Sequence, residues 1–416
     1  MIGKRRVVIT GLGAVTSLGV EVEEIWKNLL AQKSGISNIT RFDASAYSAQ
    51  IAGEIKNFDP SCSISKKDIY RLDLFSQYAL CAADKAIQDT QFSLEKEDLT
   101  RFGVILGCGM GGMNEIEAQS DVMKQKGPKR VSAFSVPRLM INAISAEISI
   151  KYGLLGPNFI TASACSSSAQ AIGQALRSIQ YNEADVVVTG GAEAVITPLS
   201  IAGFCSARAL SQRNQEPQRA SRPFDKERDG FVMGEGSAIL VLEEWERAKA
   251  RGAKIYAEIK GFGSTADAYH ITQPSPEGQG AIRAIELALK DAQVSKEDVH
   301  YINAHGTSTL QNDKIETYAI KKVFQDQAYH IPVSSTKSML GHLLGAAGAI
   351  EALVTTMSIF KQQIHSTANY ENPDPECDLD YVAKNAREIK LGCALSNSFG
   401  FGGHNVCLVF CDIEKK

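Results

Sequence analysis

The sequence predicts an α/β protein made of a duplicated unit, mixed sheet covered by helices. Apolar strand-like runs ending in glycine turns open both halves. A helical pattern and a second strand with a glycine or His-Gly turn follow in each. A small-residue helix start and a closing strand complete both. The first half begins with Arg6-Val7-Val8-Ile9-Thr10-Gly11-Leu12-Gly13. The second restarts after the charged segment from Glu246 to Lys254, with Ile255 to Gly263. Helical patterns cover Asp68 to Ile87 and Gly278 to Gln293, and the strands after them, each with its glycine or His-Gly turn, run from Phe102 to Gly107 and from Val299 to Gly306. The helix starts lie at Cys165 and His342, the closing strands at Ala238 to Leu242 and Val406 to Phe410. The boundary falls near residue 253, giving halves 1–253 and 254–416 with catalytic groups drawn from both.

A chain of 416 residues exceeds one ordinary core, and 44% apolar content is that of a globular protein. The net charge of −3 supplies no large uniform field, so nucleic acid is not an expected partner. Nine cysteines lack CxxC pairing and Cys/His ligand spacing, which disfavours zinc and a disulfide framework and points to a reducing cytoplasm. The N-terminal MIGKRRVVIT passes directly from basic residues into a strand, without the apolar core of a signal peptide. No run of about 18 uncharged apolar residues suggests a spanning helix.

The most informative residue is Cys165, where the apolar run Asn158 to Ala162 passes through Ser163-Ala164 into a helix. That helix opens with Ser166 to Ser168, and Ile172, Ala175, Leu176 and Ile179 share one face. A helix start favours thiolate over thiol, and a tight turn of small residues exposes the sulfur beside backbone N–H donors. The turn alone leaves a nucleophile and a buried structural thiol both open. His305 in NAHGTST and His342 in SSTKSMLGHLLGAAGA sit among small and apolar residues, with Lys337 five positions before His342. A Cys, two His and a Lys suit acyl transfer; each His alone is equally compatible with a hydrogen-bonded core residue.

The glycine motifs do not fit nucleotide binding. Gly11-Leu12-Gly13 with Gly19 lacks GxGxxG spacing, and Gly107 to Gly112 lacks the Lys-Ser/Thr of a phosphate loop. Gly400-Phe401-Gly402-Gly403 reads as a mobile loop carrying one bulky blade, or as a tight turn before the last strand. Met110, between glycines, offers an unbranched thioether that can swing aside, or a plain core methionine.

TASACSSSAQAIG, NAHGTST, SSTKSMLGHLLGAAGA and SNSFGFGGHN, in this order, resemble the β-ketoacyl-[acyl-carrier-protein] synthases, specifically the elongating, type II members. The resemblance spans essentially the whole chain. It implies the thiolase-like duplicated fold, five-layer αβαβα, and decarboxylative Claisen condensation in fatty acid elongation, without an organic cofactor. By resemblance, Cys165 takes up the acyl group while His305 and His342 hold the malonyl thioester carbonyl. Lys337 and Glu351 resemble the family's buried pair, with Asp313 and Glu316 in support. Phe401 resembles the gatekeeper, its N–H joining that of Cys165 as an oxyanion hole; Phe399 belongs to the same gate. Met110 resembles the closure of the acyl pocket. A structural monovalent cation is implied near Asn303, Glu351, Ser396 and Asn397. The implied partners are an acidic acyl carrier protein, docking on Lys66, Lys67, Arg71, Lys129, Arg130 and Arg208, and a second copy joined through the strand before Cys165. His404 departs from the more usual Thr beside the gate. A thiolase would want a second catalytic Cys on the last glycine loop, a chain-initiating synthase Asn at 342, and a non-catalytic polyketide partner no Cys165; none of these matches.

Overall fold

A computed structural model describes residues 4–413; Met1, Ile2 and Gly3 of the N-terminal segment MIGKRRVVIT lie outside them. Five long-range strands come from each half. The first half supplies β1 (Val7–Thr16), β2 (Phe102–Gly107), β3 (Asn158–Thr161), β4 (Val186–Glu193) and β5 (Gly236–Glu244). The second supplies β6 (Ala257–Ala266), β7 (Val299–Asn303), β8 (Val333–Ser334), β9 (Cys393–Gly400) and β10 (His404–Cys411). Across the sheet the order is β8-β7-β9-β10-β6-β1-β5-β4-β2-β3. In the first half β1 runs antiparallel to β5 and β5 to β4, whereas β2 lies parallel to β4 and to β3. The second half repeats this pattern with β6, β10, β9, β7 and β8. The two halves meet at a short antiparallel contact, Val8 opposite Glu258 and Ile9 opposite Ala257. The duplication legible in the sequence is therefore a repeated strand order.

Helices α1 (Leu74–Thr90) and α2 (Ala143–Tyr152) cover the outer face of the first half, and α4 (Gln279–Ala292) and α5 (Leu310–Phe324) that of the second. Between the halves lie α3 (Ser167–Gln180) and α6 (Ala347–Lys361), which pack on each other and on strands of both. That is the five-layer arrangement. α6 is buried around nearly its whole circumference, as a helix packed between the two halves of the sheet must be. The segment Leu344–Lys361 is long and apolar enough to cross a bilayer by composition, but 89% of it is buried inside the protein, with Glu351 in its middle. Gly11 and Gly13 stand in β1, not in a loop. A Cβ there would lie 2.2 Å from the Ala86 carbonyl and 2.1 Å from that of Ala82, so the glycines let α1 pack closely on the strand.

Two expectations need correction. The helix expected from Asp68 to Ile87 is two, Lys66–Ile69 and Leu74–Thr90. The side chain of Asp73 breaks the run by accepting from the Phe75 N–H and starting α1. The strand with its His-Gly turn read over Val299 to Gly306 is strand as far as Asn303; the Ala304 N–H then donates to the Ser334 carbonyl, and those of His305 and Gly306 turn to Glu316. Disulfide chemistry was disfavoured by cysteine spacing, yet Cys393 and Cys411 form a disulfide. They are register partners on β9 and β10, a pairing set by strand alignment and invisible in linear spacing.

Candidate active site

Cys165 sits in the turn between β3 and α3, one residue before the Ser166 cap, as the residue pattern predicts. Ala164 has φ of +51°, a left-handed conformation that costs a non-glycine residue and turns the chain sharply at the thiol. The β9–β10 hairpin closes over this turn. A Cβ at Gly400 would lie 2.7 Å from the Ser163 carbonyl and 3.2 Å from the Cys165 nitrogen, so only glycine permits that approach. The turn itself is tight: Gly402 and Gly403 have φ of +85° and +73°, and the Gly403 N–H donates to the Gly400 carbonyl at 3.1 Å. The Gly402 N–H donates to the Ile271 carbonyl at 2.6 Å, joining the turn to a loop that carries no motif.

Burial pushes the Cys165 thiol up to about 11. The Phe401 backbone N–H, the Lys337 charge and Cys165's own N–H pull it down, while the Glu193 carboxylate pushes it up. The expectation of a favoured thiolate is thus reversed in the resting protein. The helix start is present, but desolvation of the charged form outweighs it.

His305 follows β7 and His342 follows the short helix Lys337–Leu340; their rings stand 5.3 Å apart, nearly perpendicular. Burial first, then the nearby Lys337 charge, holds both far below the ordinary histidine range, with His342 acting further on His305. Both are therefore neutral at pH 7. Their tautomers follow from their partners. The Lys337 ammonium, which can only donate, approaches His305 Nδ1 at 3.2 Å, and the Leu344 N–H donates to His342 Nδ1 at 3.2 Å. In each ring Nδ1 is the acceptor, so the proton is on Nε2, and both rings line the same cavity.

Lys337 Nζ also donates to the His305 carbonyl at 2.6 Å and pairs with Glu351, and neither member of the pair is exposed. Removing one member of such a buried pair costs roughly 3–5 kcal/mol. Glu316 accepts the N–H groups of His305 and Gly306 at 2.9 and 2.7 Å. Asp313 accepts those of Thr307 and Ser308 at 2.9 and 3.1 Å. Both acids are fully buried on α5. Burial pushes Glu316 and Glu351 up to about 7. Three buried oxygens, Glu351 Oε2, Ser396 Oγ and Asn397 Oδ1, have no hydrogen-bond partner, and Asn303 is the register neighbour of Ser396. An all-oxygen set with one carboxylate fits a hard monovalent cation. Among the described residues no cluster of three His, Cys, Asp or Glu could hold a metal.

A cavity of about 600 Å³ joins Cys165, His305, His342, Phe399, Phe401 and Met110. Arg208 lines it too and is exposed. Lys66, Lys67, Arg71, Lys129 and Arg130 are exposed away from its lining, and Arg71 lies over the ring of Phe134, a few residues past Arg130. His404 is exposed on β10 beside Gly402. Sequence reasoning missed Glu193, a buried carboxylate at the end of β4 that lines this cavity.

A cysteine thiol at a helix start, two neutral imidazoles and a lysine-ordered network, all on a duplicated five-layer fold, define an acyltransferase of the thiolase-like class. Two adjoining families match the chain: the β-ketoacyl synthase N-terminal domain at residues 4–248 and its C-terminal domain at residues 256–371. The chain belongs to the β-ketoacyl synthase family. It is 52% identical over 407 residues to a 3-oxoacyl-[acyl-carrier-protein] synthase 2 of Synechocystis sp., covering 98% of both chains. It is 50% identical to the protein of the same name in Coxiella burnetii, again covering 98% of both. A solved β-ketoacyl synthase from Burkholderia phymatum superposes with a TM-score of 0.92 at 37% identity, covering 99% of this chain and 100% of that one. A type II polyketide ketosynthase solved with its acyl-carrier protein gives 0.91, also at 37% identity and with the same coverage.

Proposed function

We propose that this ketosynthase elongates fatty acyl chains by decarboxylative condensation with malonyl carrier protein, through one cavity shared by Cys165, His305 and His342. The observation that carries the reading is that both histidines face a donor at Nδ1 and line the cavity that holds the thiol, which leaves Nε2–H for a carbonyl oxygen. The Cys165 sulfur attacks the acyl thioester carbonyl; the carrier thiol leaves and takes the proton. The Cys165 and Phe401 N–H groups receive the developing oxyanion. Malonyl thioester then enters, and its carbonyl oxygen accepts from His305 and His342. As the bond to the carboxylate breaks, CO2 leaves and the electron pair becomes the enolate held by those N–H donors. The α-carbon attacks the acyl carbonyl, the bond to sulfur breaks, and a β-ketoacyl thioester two carbons longer departs. Lys337, Glu351, Glu316 and Asp313 position the two imidazoles. A monovalent cation held by Asn303, Glu351, Ser396 and Asn397 would supply positive charge to the buried carboxylate. The two halves divide near residue 253. The test is direct: purified protein with acyl- and malonyl-carrier protein should yield the longer β-ketoacyl carrier, and no such product would refute the reading.

Met110 is the proposed end of the acyl pocket; it lines the cavity and packs in the apolar cluster around Cys165. Met110→Trp should stop acylation by long chains and spare short ones, while Met110→Ala should not restrict length. A uniform loss across chain lengths in the Trp variant would make Met110 merely core.

For the partner, the carrier protein docks on Lys66, Lys67, Arg71, Lys129, Arg130 and Arg208, all of them exposed. Charge reversal at Lys67, Arg71 and Arg208 should raise the apparent KM for carrier-bound substrate and weaken its salt dependence. A small thioester should react almost as before; equal losses with both would indicate folding damage instead. A second copy of the chain pairs at β3, supported by its place at the sheet edge and the half-exposed Phe159 on it. A monomer by light scattering would exclude this.

A further inference from the structure

Glu193 has no exposed surface, yet its carboxylate is crowded with donors. Oε2 accepts the Gly109 N–H at 2.7 Å and the Gly345 N–H at 3.1 Å. Oε1 accepts the Met110 and Gly111 N–H groups at 3.1 and 3.3 Å, and the Cys108 thiol donates to it at 3.5 Å. The glycines are needed for this: a Cβ would stand 2.7 Å from Oε2 at Gly109 and 2.4 Å from it at Gly345. The carboxylate thus fills the nest of N–H groups that the glycine run 107–112 forms, the place where a phosphate would sit in a nucleotide site.

Its two sides lead to different parts of the chemistry. One is the turn carrying Met110 at the acyl pocket. The other is Leu344-Gly345, where consecutive N–H groups diverge: Leu344 donates to His342 Nδ1 and Gly345 to Glu193. Leu344 is held at φ of +48°, a left-handed conformation that persists only where its surroundings fix it. We propose that Glu193 is a positioning residue that clamps the Met110 turn and the Leu344-Gly345 turn together, so that it holds His342 in the Nε2–H tautomer needed for decarboxylation. The inference rests on the condensation reading above.

The clamp needs both oxygens as acceptors. Glutamine offers one oxygen and an amide NH2, which would confront backbone N–H groups with another donor. Aspartate keeps the charge but is one methylene too short to reach both turns.

The experiment measures two rates in wild type and in Glu193→Gln: acylation of Cys165 by a short acyl thioester, and decarboxylation of malonyl-carrier protein. Decarboxylation should fall by about a hundredfold in kcat, the scale of an ångström's misplacement. Its KM should change little, and acylation should change by less than about threefold in either direction. Restoration of part of the lost kcat in Glu193→Asp is not expected, because charge alone does not bridge the turns. A parallel fall of both rates, an unchanged ratio, or failure of both variants to fold would assign Glu193 to stability and overturn the proposal. A wild-type protein without malonyl decarboxylation would instead defeat the underlying reading of the reaction, an outcome visible before any variant is made.

Discussion

Cys165→Ala should abolish condensation and, in the same protein, the acyl adduct seen by intact mass. The loss should be about 10⁴-fold or more, the scale found when a covalent nucleophile is removed. Folding should survive, because alanine fits a turn already made of small residues and leaves the Cys165 and Phe401 N–H groups in place. Full condensation by the variant would remove the cysteine from the chemistry. The same residue gives a pH test. Because burial raises its thiol to about 11, the thiolate fraction of the free enzyme should still be rising across the neutral range. Alkylation by iodoacetamide should accelerate by about tenfold per pH unit from about pH 7 to about pH 9. A plateau below about pH 8 would mean that the helix start and the Phe401 and Lys337 contributions outweigh desolvation.

His305→Ala and His342→Ala should each reduce malonyl decarboxylation by about 10²–10³-fold, the usual cost of deleting one donor to a developing oxyanion. Acylation of Cys165 should remain measurable in both, because the imidazoles act on the second substrate. Since both rings are already neutral through burial and the Lys337 charge, their contribution should not titrate between about pH 6 and about pH 8. Undiminished decarboxylation in both variants would refute the assignment. Loss of acylation equal to loss of decarboxylation would reduce the histidines to supports of the fold.

How far the sequence could be read depended on whether a feature is local. Cys165 was legible because a strand, a small-residue turn and an amphipathic helix meet within a short segment. The duplication was legible because it repeats strand and turn signals along the chain. The break at Asp73 was hidden by helix-compatible residues on both sides and decided by one side-chain cap. The Cys393–Cys411 bridge depends on strand register. The resting state of the Cys165 thiol depends on how much protein covers it, which a helix-start argument does not contain. Glu193 was missed for a similar reason. Nothing around it in Gly190-Gly191-Ala192-Glu193-Ala194 signals chemistry, and its importance comes from two glycine turns far apart in sequence.

In the proposed reaction one cysteine carries the acyl group through a decarboxylation performed in the same cavity. A single-turnover experiment tests it most directly: protein pre-acylated by an acyl carrier protein, freed of excess donor, then mixed with malonyl carrier protein labelled at the free carboxylate. The Cys165 acyl adduct should disappear as labelled CO2 appears, in equal amounts and at one rate, with a β-ketoacyl carrier two carbons longer as the product. Release of CO2 while the adduct persists, or loss of the adduct as free fatty acid, would contradict it.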